Sequence, residues 1–384
     1  MTERDTTGKD ALEERLDGDP ALAQIMSGAL GATVLPERGT HGFHTYPAGL
    51  HPDAARDLMA AFPGRSVLDP FCGGGTVLVE GRIAGRITYG RDLSTVAMRV
   101  SRARVAAPSD EALTAFRSTA RKLTEAARQS IEPAPADLFD TVHDWYAPHT
   151  IKELWSLYQG IGQVEDEEVK KQLQAVFSSI LIKVSWRKSD TSAKRQKHHR
   201  PAGTAAILFH KKARELARLQ TDLRERIPEG TPETKLRLQD ARRVRVPKPV
   251  DLVLTSPPYP AVYDYLPLQH LRRVWMGSAD GEHPGDEIGA RRHWREKSRA
   301  ARRRWAADTA AWTAASARAL APGGHLVVVV GDGLTPTGPV DTVAASLDGA
   351  KAAGLEPVAR ASLLRPDHAR ETSRWEHVFA WRRP

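Results

Sequence analysis

Cysteine is nearly absent: Cys72 is the single one among 384 residues. That excludes an internal disulfide and any cysteine-built zinc site. No apolar run approaches the roughly 20 residues that a membrane span requires. The first twenty residues, MTERDTTGKDALEERLDGDP, are charged throughout and hold no apolar signal-peptide core. These absences lead to the expectation of a soluble, cytoplasmic protein without membrane contact. No metal-ligand spacing stands out either. His41, His44 and His51 share one stretch, but no carboxylate or cysteine stands at a ligand spacing, and His198-His199 has no further partner, so no metal is expected.

What is present supports a substantial core. Hydrophobic residues make up 41% of the chain, and the length suits one large domain or two ordinary ones. The formal charge is +9. A basic balance is compatible with nucleic-acid binding, because phosphate neutralisation supplies most non-specific affinity. Abundant Arg and Ala also fit a GC-rich coding sequence, so the position of the charge matters more than its sum.

Two stretches organise the chain. In the first, the apolar Ser66-Val67-Leu68 reads as a strand ending in Asp69, followed by Pro70-Phe71-Cys72-Gly73-Gly74-Gly75-Thr76 and a helix start at Val77. A glycine-rich strand-to-helix turn lets a ligand approach the backbone, and the helix N-terminus favours negative charge. A second strand, Ile87 to Gly90, leads to Asp92, about 20 residues past the turn, the spacing of a carboxylate that binds ribose hydroxyls. Ser94 caps the helix that follows. In the second stretch, the buried strand Val250 to Leu254 runs into Thr255-Ser256-Pro257-Pro258-Tyr259. Two prolines without N–H groups stiffen that loop. A Ser hydroxyl and a proline carbonyl can accept hydrogen bonds beside a flat tyrosine ring, which suits a planar ring bearing an amine.

Between and around these stretches the texture varies. Residues 1–40 read as a flexible N-terminal segment fraying into a helix, and a helix over Asp53 to Phe62 has Asp53 as its cap. Residues 41–109 form the first half of an α/β core. Residues 110–234 are helical in pattern, with runs at Glu111–Ser130, Ile151–Tyr158, Glu167–Val184 and Ala205–Arg226, and read as an insertion. Its densest basic segment, Trp186 to Arg200, reads as a loop. Residues 235–384 return to strands: Lys235–Leu238 ending near Asp240, Val250–Leu254, His325–Val330, Val358–Leu364 and His377–Trp381. An Arg-rich helix runs from Arg291 to Arg304. Alternating strands and helices indicate an open α/β sheet, whose ligands bind beyond the carboxyl ends of the strands. Asp69, Asp92, Asp240 and Ser256 all stand at such ends. A dinucleotide dehydrogenase is disfavoured, because Gly-x-Gly-x-x-Gly is missing at the turn.

DPFCGGGT followed by TSPPY resembles the S-adenosylmethionine-dependent DNA amino-methyltransferases, over roughly residues 40–105 and 235–384. The resemblance implies a Rossmann-like class I methyltransferase sheet carrying a large helical insertion. It implies S-adenosyl-L-methionine as cofactor, held by Tyr46, Pro47, Asp69, Pro70, Phe71, Gly73, Gly75 and Thr76, with Asp92 on the ribose and Asp240 near the adenine. It implies a catalytic loop of Ser256, Pro257, Pro258 and Tyr259 that receives a DNA base, flipped or single-stranded. Ring-carbon methylation needs a Pro-Cys nucleophile, whereas Cys72 lies in the turn and reads as a packing residue. Ser at the first loop position favours the cytosine N4 amine over adenine N6. No sizeable region follows the last strand, so the insertion is the candidate target-recognition region, with Arg187, Lys188, Lys194, Arg195, Lys197 and Arg200 as nucleic-acid contacts. Arg295 and Arg299 of the Arg-rich helix are further ones. A solvated basic face stands beside that reading. An RNA amino-methyltransferase and a non-catalytic nucleic-acid-binding relative of the fold are the other readings. A restriction or defence-system partner is compatible with the resemblance.

Overall fold

The computed structural model describes residues 13–36, 38–47, 49–189, 200–277, 287–294, 298–335, 338–367 and 372–384. A mixed eight-stranded sheet forms its centre. The strands are β1 (Glu14–Gly18), β2 (Ser66–Asp69), β3 (Ile87–Asp92), β4 (Lys235–Leu238), β5 (Val250–Thr255), β6 (Leu320–Gly331), β9 (Glu356–Asp367) and β10 (Thr372–Arg382). A small hairpin supplies β7 (Gly333–Thr335) and β8 (Gly338–Val340). The sheet order is β1-β9-β10-β6-β5-β2-β3-β4. β4, β3, β2, β5 and β6 are parallel neighbours, while β10, β9 and β1 pair antiparallel. The strand order reverses between β2 and β5. A crevice opens at such a switch point, beyond the carboxyl ends of the two strands.

The central strands are apolar because both of their faces are covered. Val67, Leu68, Leu252, Val253, Leu254, Leu326 and Val327 are all fully buried, as expected of parallel strands sandwiched between helices. Asp251 Oδ2 locks the far ends of β2 and β5 together by accepting from the Arg65 and Ser66 amides and the Ser66 hydroxyl at 2.7–2.9 Å. That leaves the functional ends of the two strands side by side.

Helices α1 (Pro20–Leu30), α2 (Pro52–Ala61), α3 (Thr76–Ile83) and α4 (Thr95–Val105) belong to the first half of the chain. The structure corrects the reading of residues 1–40 as flexible over the part described. β1 pairs with β9, and α1 buries Ala23, Met26, Ala29 and Leu30 in the sheet's core. The cap of α2 is His51, whose ring accepts from the Asp53 amide, with Pro52 in the first turn. Asp53 is instead paired with Arg38 at 2.7 Å. Ser94 does cap α4, accepting from the Ala97 amide.

Residues 110–226 form the helices α5 (Asp110–Gln129), α6 (Ala136–Val142), α7 (Pro148–Gly162), α8 (Glu167–Ile180) and α9 (Thr204–Arg226). On α5 the buried side chains, Leu113, Phe116, Ala120, Thr124 and Ala127, recur every three or four residues, the stripe of a helix packed on one side. The helices share one hydrophobic cluster with Phe43 and with Leu271 and Trp275 of α10 (His270–Met276). These helices are therefore packed against both the segment before the first motif and the helix after the second. The Arg-rich stretch is not one helix. Arg291–Trp294 is a 3-10 turn, and α11 (Ser298–Ala319) begins later. Much of its charge is used internally: Arg292 donates to Glu287 at 2.7 Å, Arg302 to the Pro339 carbonyl at 3.0 Å, and Arg304 pairs with Asp308 at 3.7 Å. α12 (Thr342–Ala352) completes the fold.

Candidate active site

A cleft of about 1030 Å³ of open space lies at the switch point. Tyr46, Pro47, Asp69, Pro70, Phe71, Gly73, Thr76, Asp92 and Asp240 line it, together with Ser256 and Pro258. Gly75 does not. It is the N-terminal cap of α3 at φ 82°, and a Cβ there would meet Ser101 at 3.2 Å. Pro257 is buried and does not line it either. A second cavity adjoins the first. Tyr259 lines this second cavity, and Ser256, Gly49 and Leu50 line both. The two sequence motifs thus meet, with Ser256 in the shared wall.

The turn is shaped by its glycines. Gly73 sits at φ 46°, a left-handed conformation that glycine adopts freely. A Cβ there would stand 3.0 Å from the Tyr46 ring. The Gly73 amide donates to Asp92 Oδ2 at 2.9 Å, and the Ser94 amide to Asp92 Oδ1 at 2.9 Å, so the β3 carboxylate is aimed by the turn it faces. Ser94 Oγ donates to Gln269 at 2.7 Å, and Gln269 donates to the Tyr46 hydroxyl at 3.1 Å. Burial, then the Asp92 charge, pushes that phenol well above its ordinary range.

Asp69 is a buried carboxyl of the cleft. Burial raises it to about 7, against the opposing hydrogen bonds from the Thr255 hydroxyl at 2.6 Å and the Phe71 amide at 3.1 Å. Asp240 is held differently. Its oxygens accept from Arg242 Nε and Nη2 at 2.7–3.1 Å and from the Arg242 amide at 2.8 Å, and Arg242 also reaches Asp308 at 2.7 Å. That guanidinium keeps Asp240 ionised, with its carboxyl held below the usual range. Cys72 is buried, and desolvation with the nearby Asp92 and Asp69 charges pushes its thiol well up. It is a thiol, not a thiolate nucleophile.

Several residues of the site carry no motif. Arg104 of α4 is buried and donates to the carbonyls of Gly74 (2.9 Å), His41 (2.7 Å) and His44 (2.5 Å). It fastens the segment before the first motif onto the glycine turn, and burial lowers its pKa to about 10. Glu287 and Tyr265 line the cleft, with Glu287 accepting from the Tyr265 amide and from Arg292. No sequence pattern marks these residues, because most of their partners lie far along the chain or are backbone groups.

The nucleic-acid contact candidates are less gathered. Lys194, Arg195, Lys197 and Arg295 lie outside the described residues. Arg187 is half-buried, its guanidinium 3.8 Å from the Trp145 ring centroid. Lys188 and Arg299 are exposed, and Arg200 is half-buried. None of these four lines either cavity. Among the described residues, no helix is long and apolar enough to cross a membrane.

No protein-family model matches the chain. A curated protein named type II methyltransferase M.MvaI, from Kocuria varians, is 25% identical over 244 residues, covering 57% of this chain and 53% of that protein. The chain therefore spans about half the length of the relative it matches. Among solved structures, TrmN from Thermus thermophilus aligns with TM-score 0.31 and 12% identity over 87% of this chain and 48% of that one. The rRNA methyltransferase AviRa from Streptomyces viridochromogenes aligns with TM-score 0.38 and 13% identity over 88% of each.

Proposed function

We propose that the protein is an S-adenosylmethionine-dependent methyltransferase acting on the exocyclic amine of a DNA base, with cytosine N4 the first acceptor and adenine N6 the second. One observation carries this reading: Ser256 stands in the wall shared by a cleft lined by the glycine turn and a cavity lined by Tyr259. A donor and an acceptor can occupy neighbouring chambers with the Ser-Pro-Pro-Tyr loop between them. The name of the Kocuria relative, a type II methyltransferase, points the same way.

The residues present fit the cofactor. A Cβ at Gly73 would fill the space beside the Tyr46 ring, so the turn stays open to a ligand only as glycine. Tyr46, Pro47 and the Asp69–Thr76 turn would hold the methionine end, Asp92 the ribose, and Asp240 with Ala241 the adenine side. Bound there, S-adenosylmethionine supplies a methyl group on a sulfonium, an electrophile that needs no covalent enzyme intermediate. The chain's own work is positioning and electrostatics. Asp69, once ionised, would put a carboxylate beside the cationic end. Ser256 and the adjoining proline carbonyl accept the hydrogens of the incoming amine. That draws the nitrogen lone pair out of conjugation with the ring, and conjugation is what makes such amines poor nucleophiles. Tyr259 gives the base a flat wall to stack on.

The decisive experiment is expression in a host that lacks base modification, followed by sequencing that detects modified bases. N4-methylcytosine in a fixed context is expected. N6-methyladenine would assign the second acceptor, and unmodified DNA with methylated tRNA or rRNA would overturn the reading. In the purified protein, Tyr259→Ala should abolish methylation while sparing cofactor binding measured by calorimetry, whereas Asp92→Ala should weaken the cofactor.

A further inference from the structure

The Ser-Pro-Pro-Tyr loop does not wall off the two chambers alone. Tyr263 lines the second cavity, with Tyr259 and Ser256. Tyr265, two positions on, lines the first cleft, with Asp92 and Tyr46. Neither tyrosine lines the other chamber. Their rings are in contact, with centroids 5.7 Å apart and planes tilted by 53°, a separation typical of paired aromatic side chains. Both residues are half-buried, and among the described residues neither belongs to a hydrophobic cluster of the core. Packing therefore does not account for two large rings at these positions.

The backbone that carries the pair is fixed from behind. Ala261 adopts φ 60°, and among the described residues it is the one non-glycine with a positive φ. Such a conformation persists only where the surroundings impose it. The Ala261 amide donates to the Gly289 carbonyl at 2.9 Å, and the Tyr263 carbonyl accepts from the Arg291 amide at 3.0 Å. Asp264, between the two tyrosines, accepts from the Arg292 amide at 2.9 Å. The Tyr265 amide donates to Glu287 Oε1, while Glu287 Oε2 accepts from Arg292 Nη1 at 2.7 Å. Residues 287 to 292 thus hold Ala261, Tyr263, Asp264 and Tyr265 one by one.

We infer that Tyr263 and Tyr265 are binding residues that form an aromatic partition between the chambers, Tyr263 contacting the acceptor base and Tyr265 the cofactor. The inference rests on the acceptor chemistry proposed above and adds two residues that lie outside both motifs. A planar base gains from a second aromatic surface beside Tyr259, and stacking tolerates any ring of similar shape. Because the two rings touch, a single partition sets how close the methyl donor and the amine can come. The beginning of the Arg-rich stretch then serves as the brace of this partition.

The test compares wild type with Tyr263→Ala, Tyr263→Phe, Tyr265→Ala and Tyr265→Phe. Two quantities are read: calorimetric affinity for S-adenosylhomocysteine, and kcat/KM for enzymatically amplified, unmodified genomic DNA at saturating S-adenosylmethionine. Loss of one base–aromatic contact is worth about 5- to 150-fold. Tyr263→Ala should lose that factor in kcat/KM for DNA and keep its S-adenosylhomocysteine affinity within about threefold. Tyr265→Ala should lose at least about fivefold in S-adenosylhomocysteine affinity. Both Phe variants should stay within about threefold of wild type in both quantities, because the ring is what makes the contact. A merely structural role would lower the thermal midpoint and shift both ligands together in either Ala variant. That outcome, or wild-type values in both Ala variants, would overturn the inference and leave the acceptor reading standing. A wild-type protein that binds S-adenosylhomocysteine yet methylates no DNA would bring down the acceptor reading, and this inference with it.

Discussion

The Thr255 hydroxyl at the end of β5 donates to Asp69 Oδ1 at the end of β2 across 2.6 Å. Residues 186 positions apart thereby join the two motifs directly, at the point where the sheet reverses its strand order. The bond ties the Asp69 carboxyl to the loop that bears Ser256.

Burial raises the Asp69 carboxyl from 3.8 to about 7. Between those values the folded chain keeps a proton that the unfolded chain has released. Stability from this group is thus complete below about pH 4 and is lost as pH rises through 7, by about 4 kcal/mol at most. Urea unfolding of wild type and Asp69→Asn should show the wild-type advantage shrinking by a few kcal/mol between about pH 4 and pH 8. Cofactor affinity should move the other way, strengthening as pH rises through 7 because the ionised carboxylate faces a cationic ligand. Asp69→Asn should bind with a flatter pH profile.

Arg104 should be indispensable for stability. Replacing it by Met leaves the carbonyls of Gly74, His41 and His44 without a donor in a buried setting. Each unmet group costs about 1–3 kcal/mol. The thermal midpoint of Arg104→Met should fall by more than about 5 °C. Arg104→Lys should recover only part of the loss, since one ammonium cannot span three carbonyls that a planar guanidinium reaches.

Gly331→Ala isolates the acceptor side. The new methyl group would displace the Tyr259 ring, because nothing else yields at 2.8 Å from Cε2. Misplacement by about 1 Å costs roughly 100-fold in rate. Methyl transfer should drop by about that factor while calorimetric affinity for S-adenosylhomocysteine is kept. Equal loss of both would show that β6 itself has shifted.

Exposed Lys188 and Arg299 should act on DNA through charge alone. Lys188→Gln and Arg299→Gln should each make the slope of log affinity against log salt less negative, by about 0.9 for each phosphate that goes unneutralised. Arg187 is committed to the Trp145 ring at 3.8 Å. Arg187→Gln should instead cost about 1 kcal/mol in unfolding experiments. An unchanged salt slope in the first two variants would remove them from the interface.

Where the sequence carries local rules, the fold is legible. The apolar strands β2, β5 and β6, the turn from Asp69 to Thr76, the Ser94 cap and the helical stripes of α5, α8 and α9 all follow from periodicity, glycine and capping chemistry within a few residues. The cap of α2 is ambiguous in sequence because Asp53 and His51 can both serve, and Arg38, fifteen positions back, claims Asp53. β1 escapes a sequence reading because an exposed edge strand, ERLDG, has no apolar alternation and is defined only by its partner β9. The Arg-rich stretch resembles one helix in sequence because charge has no periodic signature once its residues pair inside the fold.

By itself the sequence determined that a glycine turn follows one strand, that acids end two others, and that a stiff Ser-Pro-Pro-Tyr loop follows a fourth, since each depends on neighbours along the chain. Only the tertiary structure decided that Ser256 lies between two cavities, that Arg104 clamps the turn, and that Glu376 holds Tyr259. Those last two links, Arg104 to Gly74 and Tyr259 to Glu376, join residues 30 and 117 positions apart, and only packing a helix on a turn and a loop on a strand brings them together.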